Sequence, residues 1–344
     1  MEEEQKPLEY EIALGIEDHS FSYQLASQQI RASRMCADCA ERSDVLLHCV
    51  CGAGKTEIAV EAISRYLSRG KKVAYAISRK EVVIELAQRF SAIFAKAEVV
   101  AVYGGHHERI TGDLIVCTCH QLYRYYRTFD LLILDEVDAF PLKGDETLMN
   151  IALLSCRGQI IFSTATVDAD LKKILDRRVY KIVRLYQRPS GRKLPVPEVR
   201  YVPGILSFFS LIDLMRRMDG PCILFVSSRK RCKDLYHLLL PFFSCTYVYS
   251  DLEKREENIK AFREGKFRFI ISTTVLERGI TIPDVSVIIL MENGIFDESS
   301  LIQMLGRVDR GMDVSEGKAF ILTKKNTTAL KKAMRYLKEV NGFT

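Results

Sequence analysis

The stretch Cys49-Val50-Cys51-Gly52-Ala53-Gly54-Lys55-Thr56 decides the fold that we expect for this chain. An apolar run at residues 45–47 precedes it, and residues 56–67 follow it with apolar side chains at helical spacing. A glycine-rich turn between a strand and a helix can surround phosphate groups with backbone N–H groups, and a lysine there adds a positive charge. The stretch therefore predicts a site for a nucleoside triphosphate.

Each residue of this loop has a predicted role in that site. Lys55 is expected to contact the β- and γ-phosphates, and the hydroxyl of Thr56 is expected to bind Mg²⁺. The rest of the predicted ATP-binding segment is formed by Gly52, Ala53, Gly54 and Glu57. Cys49 stands where the strict pattern has its first glycine, so the alternative is a glycine-rich turn that merely contains a lysine.

Length and composition limit the classes of protein to consider. The 344 residues suffice for two domains, and no apolar run approaches the roughly 20 residues of a membrane span. The start, Met1-Glu2-Glu3-Glu4-Gln5-Lys6, lacks the apolar core of a secretory signal, so we expect a cytoplasmic protein. A net charge of +6 permits nucleic-acid binding without requiring it.

Ten cysteines raise the question of a metal site, because six of them form close pairs: Cys36 and Cys39, Cys49 and Cys51, and Cys117 and Cys119. The first pair falls in a predicted helix, and no second pair lies at zinc-finger spacing from it. The other pairs lie in or beside apolar strand runs, where cysteine is usually a small buried hydrophobic residue. We expect free thiols and no zinc.

Two series of apolar runs alternate with helical segments along the chain. The first has predicted strands at 73–77, 99–103, 114–118, 131–134 and 159–163, and the second at 222–226, 267–272, 285–290 and 319–322. Nearly continuous apolar strands separated by helices indicate parallel sheets that are covered on both faces. The predicted fold class is therefore α/β, with two tandem domains.

The predicted domain boundaries follow from composition. Residues 1–20 carry seven acids against one lysine and form an acidic leader, and the Pro-rich, basic segment 187–198 forms a linker. This leaves an ATP-binding domain at 21–186 and a second domain at 199–344. The second domain has no phosphate loop, so we expect one nucleotide per chain, in the cleft between the domains.

An apolar run that ends in Asp135-Glu136-Val137-Asp138 is the second strong motif. The end of such a strand lies at the same sheet edge as the phosphate loop, which brings Asp135 to Mg²⁺ and Glu136 to the attacking water. The alternative is an acidic turn after a buried strand. The two motifs together predict ATP hydrolysis.

The next strand is followed by Ser163-Thr164-Ala165-Thr166. Thr164 and Thr166 can bond the acidic turn and couple the nucleotide state to the rest of the domain. The alternative is that these hydroxyl groups cap the following helix.

Segment 303–310 contributes Gln303 to the nucleotide site and sets Arg307 and Arg310 three residues apart, on what we expect to be one helical face. Arginines from the second domain can neutralise charge that develops on the γ-phosphate, the role of an arginine finger. The alternative is a solvated basic helix.

Several further residues are candidates for nucleic-acid or nucleotide contacts. Gln29, ahead of the loop, is predicted to read the adenine edge, with a solvated helix glutamine as the alternative. Arg278 and Gly279 are placed nearer the nucleotide, Arg278 in a coupling role. Hydroxyl, basic and glycine backbone groups at strand ends can hold a nucleic-acid backbone: Arg79, Gly104, Gly105, Thr118, Gln121, Ser227, Thr273 and Thr274.

The ordered set of motifs resembles a superfamily 2 helicase core, and segments 118–122, 135–141 and 273–279 resemble the ComF operon protein A family more closely. The resemblance implies two RecA-like domains, ATP and Mg²⁺ as cofactors, and DNA-stimulated ATP hydrolysis. It also implies a role in pulling single-stranded DNA through the membrane channel during bacterial transformation. The implied partners are that channel and the phosphoribosyltransferase-like protein of the same operon, which would place the chain at the inner face of the membrane.

The sequence departs from this family at three points. The acidic leader stands where the family has a four-cysteine zinc module, Ser78 replaces an expected proline, and Asp309 replaces an expected glycine. The residues alone also leave other functions open. These are an RNA helicase, a repair or replication-restart helicase, and a nucleotide-gated scaffold that does not hydrolyse ATP.

Overall fold

The computed structural model describes residues 25–106, 108–204, 206–277, 285–292, 296–308 and 317–342. The chain divides into two compact units, Met1–Pro189 and Ser190–Thr344. The division falls inside the segment 187–198 that the sequence predicts as a linker.

The first unit is a seven-stranded sheet in which all neighbouring strands pair in parallel, in the order β3-β4-β2-β5-β6-β1-β7. Its strands are β1 Asp44–Cys49, β2 Val73–Ile77, β3 Val99–Val102, β4 Leu114–Thr118, β5 Phe129–Asp135, β6 Cys156–Thr164 and β7 Tyr180–Leu185. Its helices are α1 Ser27–Ala40, α2 Lys55–Leu67, α3 Lys80–Ile93, α4 Glu146–Ser155 and α5 Ala169–Leu175, with a 3-10 helix at Cys119–Arg124.

The second unit has a six-stranded parallel sheet in the order β10-β11-β9-β12-β13-β8. Its strands are β8 Glu198–Tyr201, β9 Cys222–Phe225, β10 Cys245–Val248, β11 Phe269–Ser272, β12 Ser286–Met291 and β13 Ala319–Thr323. Its helices are α6 Leu206–Arg216, α7 Arg229–Leu239, α8 Arg255–Arg263, α9 Glu298–Leu305 and α10 Thr328–Gly342, with a 3-10 helix at Thr274–Leu276. The predicted class of two parallel α/β domains is confirmed.

The central strands are buried along their whole length, as β2, β4, β5, β9 and β12 illustrate. Helices cover both faces of each sheet, so these strands are apolar at most positions rather than at alternate ones, with polar residues mainly at their ends. The edge strands β7 and β8 are different, since exposed and partly buried residues mix along them. The apolar pattern of the sequence predicts neither of them, and it does not predict the edge strand β10 either, whereas it does predict β3, the remaining edge strand.

Because the strands of each sheet are parallel, their carboxyl ends meet at one edge, where α/β proteins bind their ligands. We call this edge of the first unit the carboxyl edge. Among the residues that the structure describes, no helix has the length and apolar character needed to cross a membrane.

Candidate nucleotide-binding site

The phosphate loop connects β1 to α2, and two of its glycines have left-handed backbones. Gly52 has φ 82° and Gly54, at the N-cap of α2, has φ 84°. A side chain is unfavourable at such angles, and a Cβ on Gly54 would lie 2.2 Å from Nε2 of Gln29. Glycine at position 54 therefore lets Gln29 pack against the loop, and the backbone N–H groups at the start of α2 are of the kind that bind an anion.

Gln29 fastens this loop to α1. Its Nε2 donates a hydrogen bond of 2.9 Å to the carbonyl of Ala53, and its Oε1 accepts one of 3.0 Å from the N–H of Ala26. The side chain is buried. The structure thus gives Gln29 a role in shaping the loop, while its contact with adenine stays a prediction.

Asp135, the last residue of β5, accepts three hydrogen bonds that fix its carboxylate. The donors are the hydroxyl of Tyr75 at 2.8 Å, the hydroxyl of Ser163 at 2.7 Å and the N–H of Glu136 at 2.9 Å. The Tyr75 oxygen also lies 3.5 Å from Oγ1 of Thr56. Tyr75 therefore connects the two residues that the sequence assigns to Mg²⁺.

The charges of this buried site depend on one another. Burial alone would lower the pKa of Lys55, but Asp135, Asp138 and Glu136 outweigh it and raise the pKa, so the ammonium group stays charged. Burial raises the pKa of Asp135, against the opposing effects of Lys55 and of the Ser163 and Tyr75 hydroxyl groups. The hydrogen bonds to Asp135 therefore favour the ionised form that a metal ligand must have.

Glu136 has a left-handed backbone with φ 55°, which is uncommon for a residue other than glycine. Its carbonyl accepts the N–H of Ala139 at 2.9 Å, and the N–H of the next residue, Val137, donates to the carbonyl of Ser163 at 3.3 Å. Conformations of this kind persist where the surroundings hold them, and they concentrate at functional sites.

The threonines of the third motif bond the acidic turn and each other. Oγ1 of Thr166 donates to Asp138 at 2.8 Å, while Oγ1 of Thr164 donates to the carbonyl of Thr166 at 2.6 Å. The following helix, α5, is capped by Asp168, which accepts the N–H of Leu171 at 2.9 Å. These threonines are therefore not the helix cap that was the alternative.

Two further residues of the site, His48 and Arg188, belong to none of the sequence motifs. His48 on β1 lies with Nε2 3.0 Å from the carbonyl of Ala165 and Nδ1 3.2 Å from the hydroxyl of Tyr186. Burial lowers the pKa of His48, and a neutral ring with its proton on Nε2 satisfies both contacts. Arg188 is only 4% exposed, and its Nε donates to the carbonyl of Cys51 in the phosphate loop at 3.2 Å.

Tyr75→Phe should move the acid limb of the pH profile of ATP hydrolysis to higher pH. The Tyr75 hydroxyl bonds the ionised Asp135 and lowers its pKa, so its removal raises that pKa and the carboxylate is protonated at a higher pH than before. The measurement is kcat/KM against pH. Tyr66→Phe is the matched control, because its hydroxyl bonds Ala40 and Gln159 instead. An acid limb that does not move would exclude this role of Tyr75.

The candidates for nucleic-acid contacts in the first unit occupy one half of the carboxyl edge. They follow β2, β3 and β4, which are adjacent in the sheet, whereas the nucleotide residues follow β1, β5 and β6. The two halves meet where β2 pairs with β5. The candidates in this half are Arg79 at the N-cap of α3, Gly104 and Gly105 in an exposed turn, Thr118 at the end of β4, and Gln121 in the 3-10 helix.

In the second unit, Ser227 follows β9, and Thr273 and Thr274 follow β11, the strand beside it. Gln303 lies buried on α9. Arg278, Gly279 and Arg310 lie outside the described residues.

Arg307 lies beyond α9, which corrects one expectation. The predicted helical face for both arginines is wrong for Arg307, because α9 ends at Leu305 and Gly306, a poor helix former, is its C-cap. The Arg307 side chain is buried, and its Nε donates to the carbonyl of Glu277 at 2.9 Å.

Oxygen donors suited to Mg²⁺ come together in the first unit, namely the Thr56 hydroxyl and the Asp135 carboxylate that Tyr75 connects. The open loop and the charged Lys55 suit the phosphates of ATP. All ten cysteines are free thiols, and the described residues contain no group of three or more His, Cys, Asp or Glu side chains that could hold a metal.

Comparison with known proteins agrees with this geometry. The family model described as DEAD/DEAH box helicase matches residues 28–174, and that of the helicase conserved C-terminal domain matches residues 207–312. Competence protein ComFA of Bacillus subtilis (strain 168) is 32% identical, with 92% of this chain and 72% of that protein covered. The chain belongs to the ComFA family. ComFA of Streptococcus pneumoniae (strain R6) is also 32% identical, with 88% and 73% covered.

Solved structures support the fold that ComFA membership implies. S. cerevisiae Dbp5 bound to RNA and ADP BeF3 matches with a TM-score of 0.65 at 19% identity, covering 92% of each chain. At this identity the likeness supports the fold alone. With both helicase domains present, this ComFA-family chain is a nucleic-acid-dependent ATPase of the helicase superfamily.

Proposed function

We propose that this chain is an ATP-driven translocase on single-stranded DNA that serves DNA uptake during bacterial transformation. The observation that carries the proposal is the division of the carboxyl edge, since the candidates for the nucleotide site and for backbone binding lie at the ends of two adjacent groups of strands that meet where β5 pairs with β2. The names of the ComFA relatives support the process, and the helicase domains support the class of motor.

The proposed hydrolysis assigns one task to each polar group. Lys55 places its ammonium group against the β- and γ-phosphates, while Thr56 and Asp135 hold Mg²⁺. When bound, Mg²⁺ offsets the negative charge that builds up on the phosphate oxygens. Glu136 orients the attacking water and accepts its proton.

Tyr75 is the proposed link between the nucleotide and the nucleic acid. It lies on β2, four residues before Arg79, and its hydroxyl group bonds Asp135 on the neighbouring strand. A change in the bonding of Asp135 would therefore act on the strand that leads to Arg79, a backbone-binding candidate. The third motif provides a second connection to the acidic turn, because the Thr166 hydroxyl group bonds Asp138.

The roles that the sequence gives to the second unit stay predictions. Arg307 and Arg310 are the predicted arginine fingers, Gln303 and Gly279 are predicted to contact the nucleotide, and Arg278 is predicted to couple. The cytoplasmic location, the operon partner and the membrane channel are part of the same proposal.

ATP turnover measured against a panel of nucleic acids tests the proposal. We expect single-stranded DNA to stimulate turnover more than duplex DNA or RNA does. Every comparison must be made at one stated salt concentration, because the affinity of backbone contacts falls steeply with salt. Stronger stimulation by RNA would replace the proposal with an RNA helicase, and zero turnover with DNA present would replace it with a nucleotide-gated scaffold.

A further inference from the structure

A groove of about 570 Å³ lies in the second unit between β8 and α10, and none of the predicted site residues lines it. We call it the β8–α10 groove. Strand β8 contributes Val199 and Tyr201 to its lining, and α10 contributes Leu330 and Met334 among others. Tyr201 is 55% exposed, so the groove offers an aromatic ring as well as aliphatic side chains to a ligand.

Three cations line the same groove. Lys331, Arg335 and Lys338 are four and three residues apart along α10, which places them on one face of the helix. All three are exposed, and none forms an ion pair with a carboxylate in the part of the chain that the structure describes. Glu339 is the acidic residue of the lining, so the groove has a net positive charge.

The open edge of β8 supplies hydrogen-bonding groups. Strand β8 is last in its sheet and pairs with β13, and the N–H of Val202 donates to the carbonyl of Thr323 at 2.9 Å. Because bonding alternates along a strand, Val199 and Tyr201 direct their N–H and C=O groups to the other side, where no strand pairs with β8 among the residues that the structure describes. An unpaired strand edge is a template for pairing with another extended segment.

Hydrogen bonds fix the position of α10 relative to the segment that enters β8. Asn341, near the end of α10, bonds Leu194 in both directions, accepting its N–H and donating to its carbonyl at 2.9 Å each. These contacts tie the helix to the segment that enters β8, and Leu194 is itself buried. A partner would therefore meet a fixed channel, which reduces the entropy lost on binding.

We propose that the β8–α10 groove binds an acidic, extended peptide segment of a partner protein, which pairs with β8 as an added strand. The edge groups of Val199 and Tyr201 hold the peptide backbone. On the side that faces α10, its acidic side chains meet Lys331, Arg335 and Lys338, and its apolar side chains pack on Met334 and Tyr201. The alternate side chains of the peptide point away from the groove. A nucleic acid would satisfy the cations, but it would use neither the aliphatic lining nor the strand edge.

Selection of peptides on the full-length chain tests this proposal. Random decapeptides displayed on phage are selected on the chain, and the recovered peptides are synthesised with a fluorescent label for binding measurements. We expect acidic and apolar residues to be enriched at every second position of the recovered sequences, the positions that face the groove. Arg335→Glu and Lys338→Glu should each weaken the binding of these peptides about fivefold, and Lys332→Glu, an exposed residue of α10 outside the groove lining, should not.

N-methylation of the bound peptide tests the strand pairing. Two versions of the peptide are compared, one methylated on the odd-numbered backbone nitrogens and one on the even-numbered ones. Only one version should lose binding, since an added strand uses every second N–H group to pair with β8. Equal losses in both versions would overturn the added strand, and selection without enrichment of acidic peptides would overturn the partner. Labelled oligo(dT) is included as a second probe. If Arg335→Glu weakens oligo(dT) and no peptide, the groove is a nucleic-acid site instead.

This inference is independent of the proposed translocase activity. The β8–α10 groove contains none of the residues assigned to ATP or to nucleic acid. The charge-reversal variants should therefore keep DNA-stimulated ATP turnover while they lose the peptide.

Discussion

Glu136→Gln should reduce DNA-stimulated ATP turnover by about 100- to 10,000-fold, the range over which a general base contributes to catalysis. The amide has nearly the shape of the carboxylate but cannot accept the proton of the attacking water. The N–H of Glu136 would still bond Asp135, so the metal ligand should keep its position. Binding of a fluorescent ATP analogue should therefore persist, and turnover under saturating ATP is the measurement.

Two further variants give this result its meaning. Glu146→Gln makes the same chemical change at an exposed residue in the first turn of α4 and should leave turnover unaltered. Lys55→Ala should abolish turnover by a different route, because it removes the charge that holds the phosphates and so weakens nucleotide binding. Full turnover in the Glu136→Gln variant would remove Glu136 from the role of base.

Gly158→Ala should destabilise the first unit by about 3 kcal/mol, at the upper end of the cost of overpacking. Gly158 lies on β6, and a Cβ there would be 2.0 Å from the carbonyl oxygen of Asp130 on the neighbouring strand β5. That oxygen belongs to the backbone, so the two strands must separate. The free energy of unfolding, measured by urea denaturation, gives the cost directly.

The same separation should impair ATP turnover, since β5 and β6 also carry the Asp135–Ser163 hydrogen bond. Gly104→Ala is the matched control for stability, because a Cβ on Gly104 meets no atom within 4 Å. If Gly158→Ala has the same free energy of unfolding as the control, then β5 and β6 can separate without loss of stability, and the prediction is wrong.

Much of the fold could be predicted because central parallel strands are apolar at most positions. The runs at 73–77 and 114–118 match β2 and β4 residue for residue. The edge strands β7, β8 and β10 could not be found in this way. Exposed residues interrupt the apolar pattern of β7 and β8, and β10 is only four residues long with Thr246 and Tyr247 at its centre.

The site was predictable where a motif demands a particular residue, and less so where tertiary contacts assign the role. Tyr75 reads as one more apolar position of β2, and only the fold reveals that its hydroxyl group bonds Asp135. Arg188 reads as a basic residue of the linker. The prediction that Arg307 lies on the same helix is wrong because α9 ends at Leu305, with Gly306 as its C-cap.

The buried contact of Arg188 has a mechanical consequence. Arg188 comes one residue before the end of the first unit, and its side chain bonds the Cys51 carbonyl of the phosphate loop. Tension applied to the chain where it leaves this unit would therefore reach the loop through the Arg188 guanidinium group, in addition to the hydrogen bond from the Val50 N–H to the Leu185 carbonyl. In a translocase, force on the segment that joins the two units would therefore act directly on the loop that is predicted to bind the phosphates of ATP.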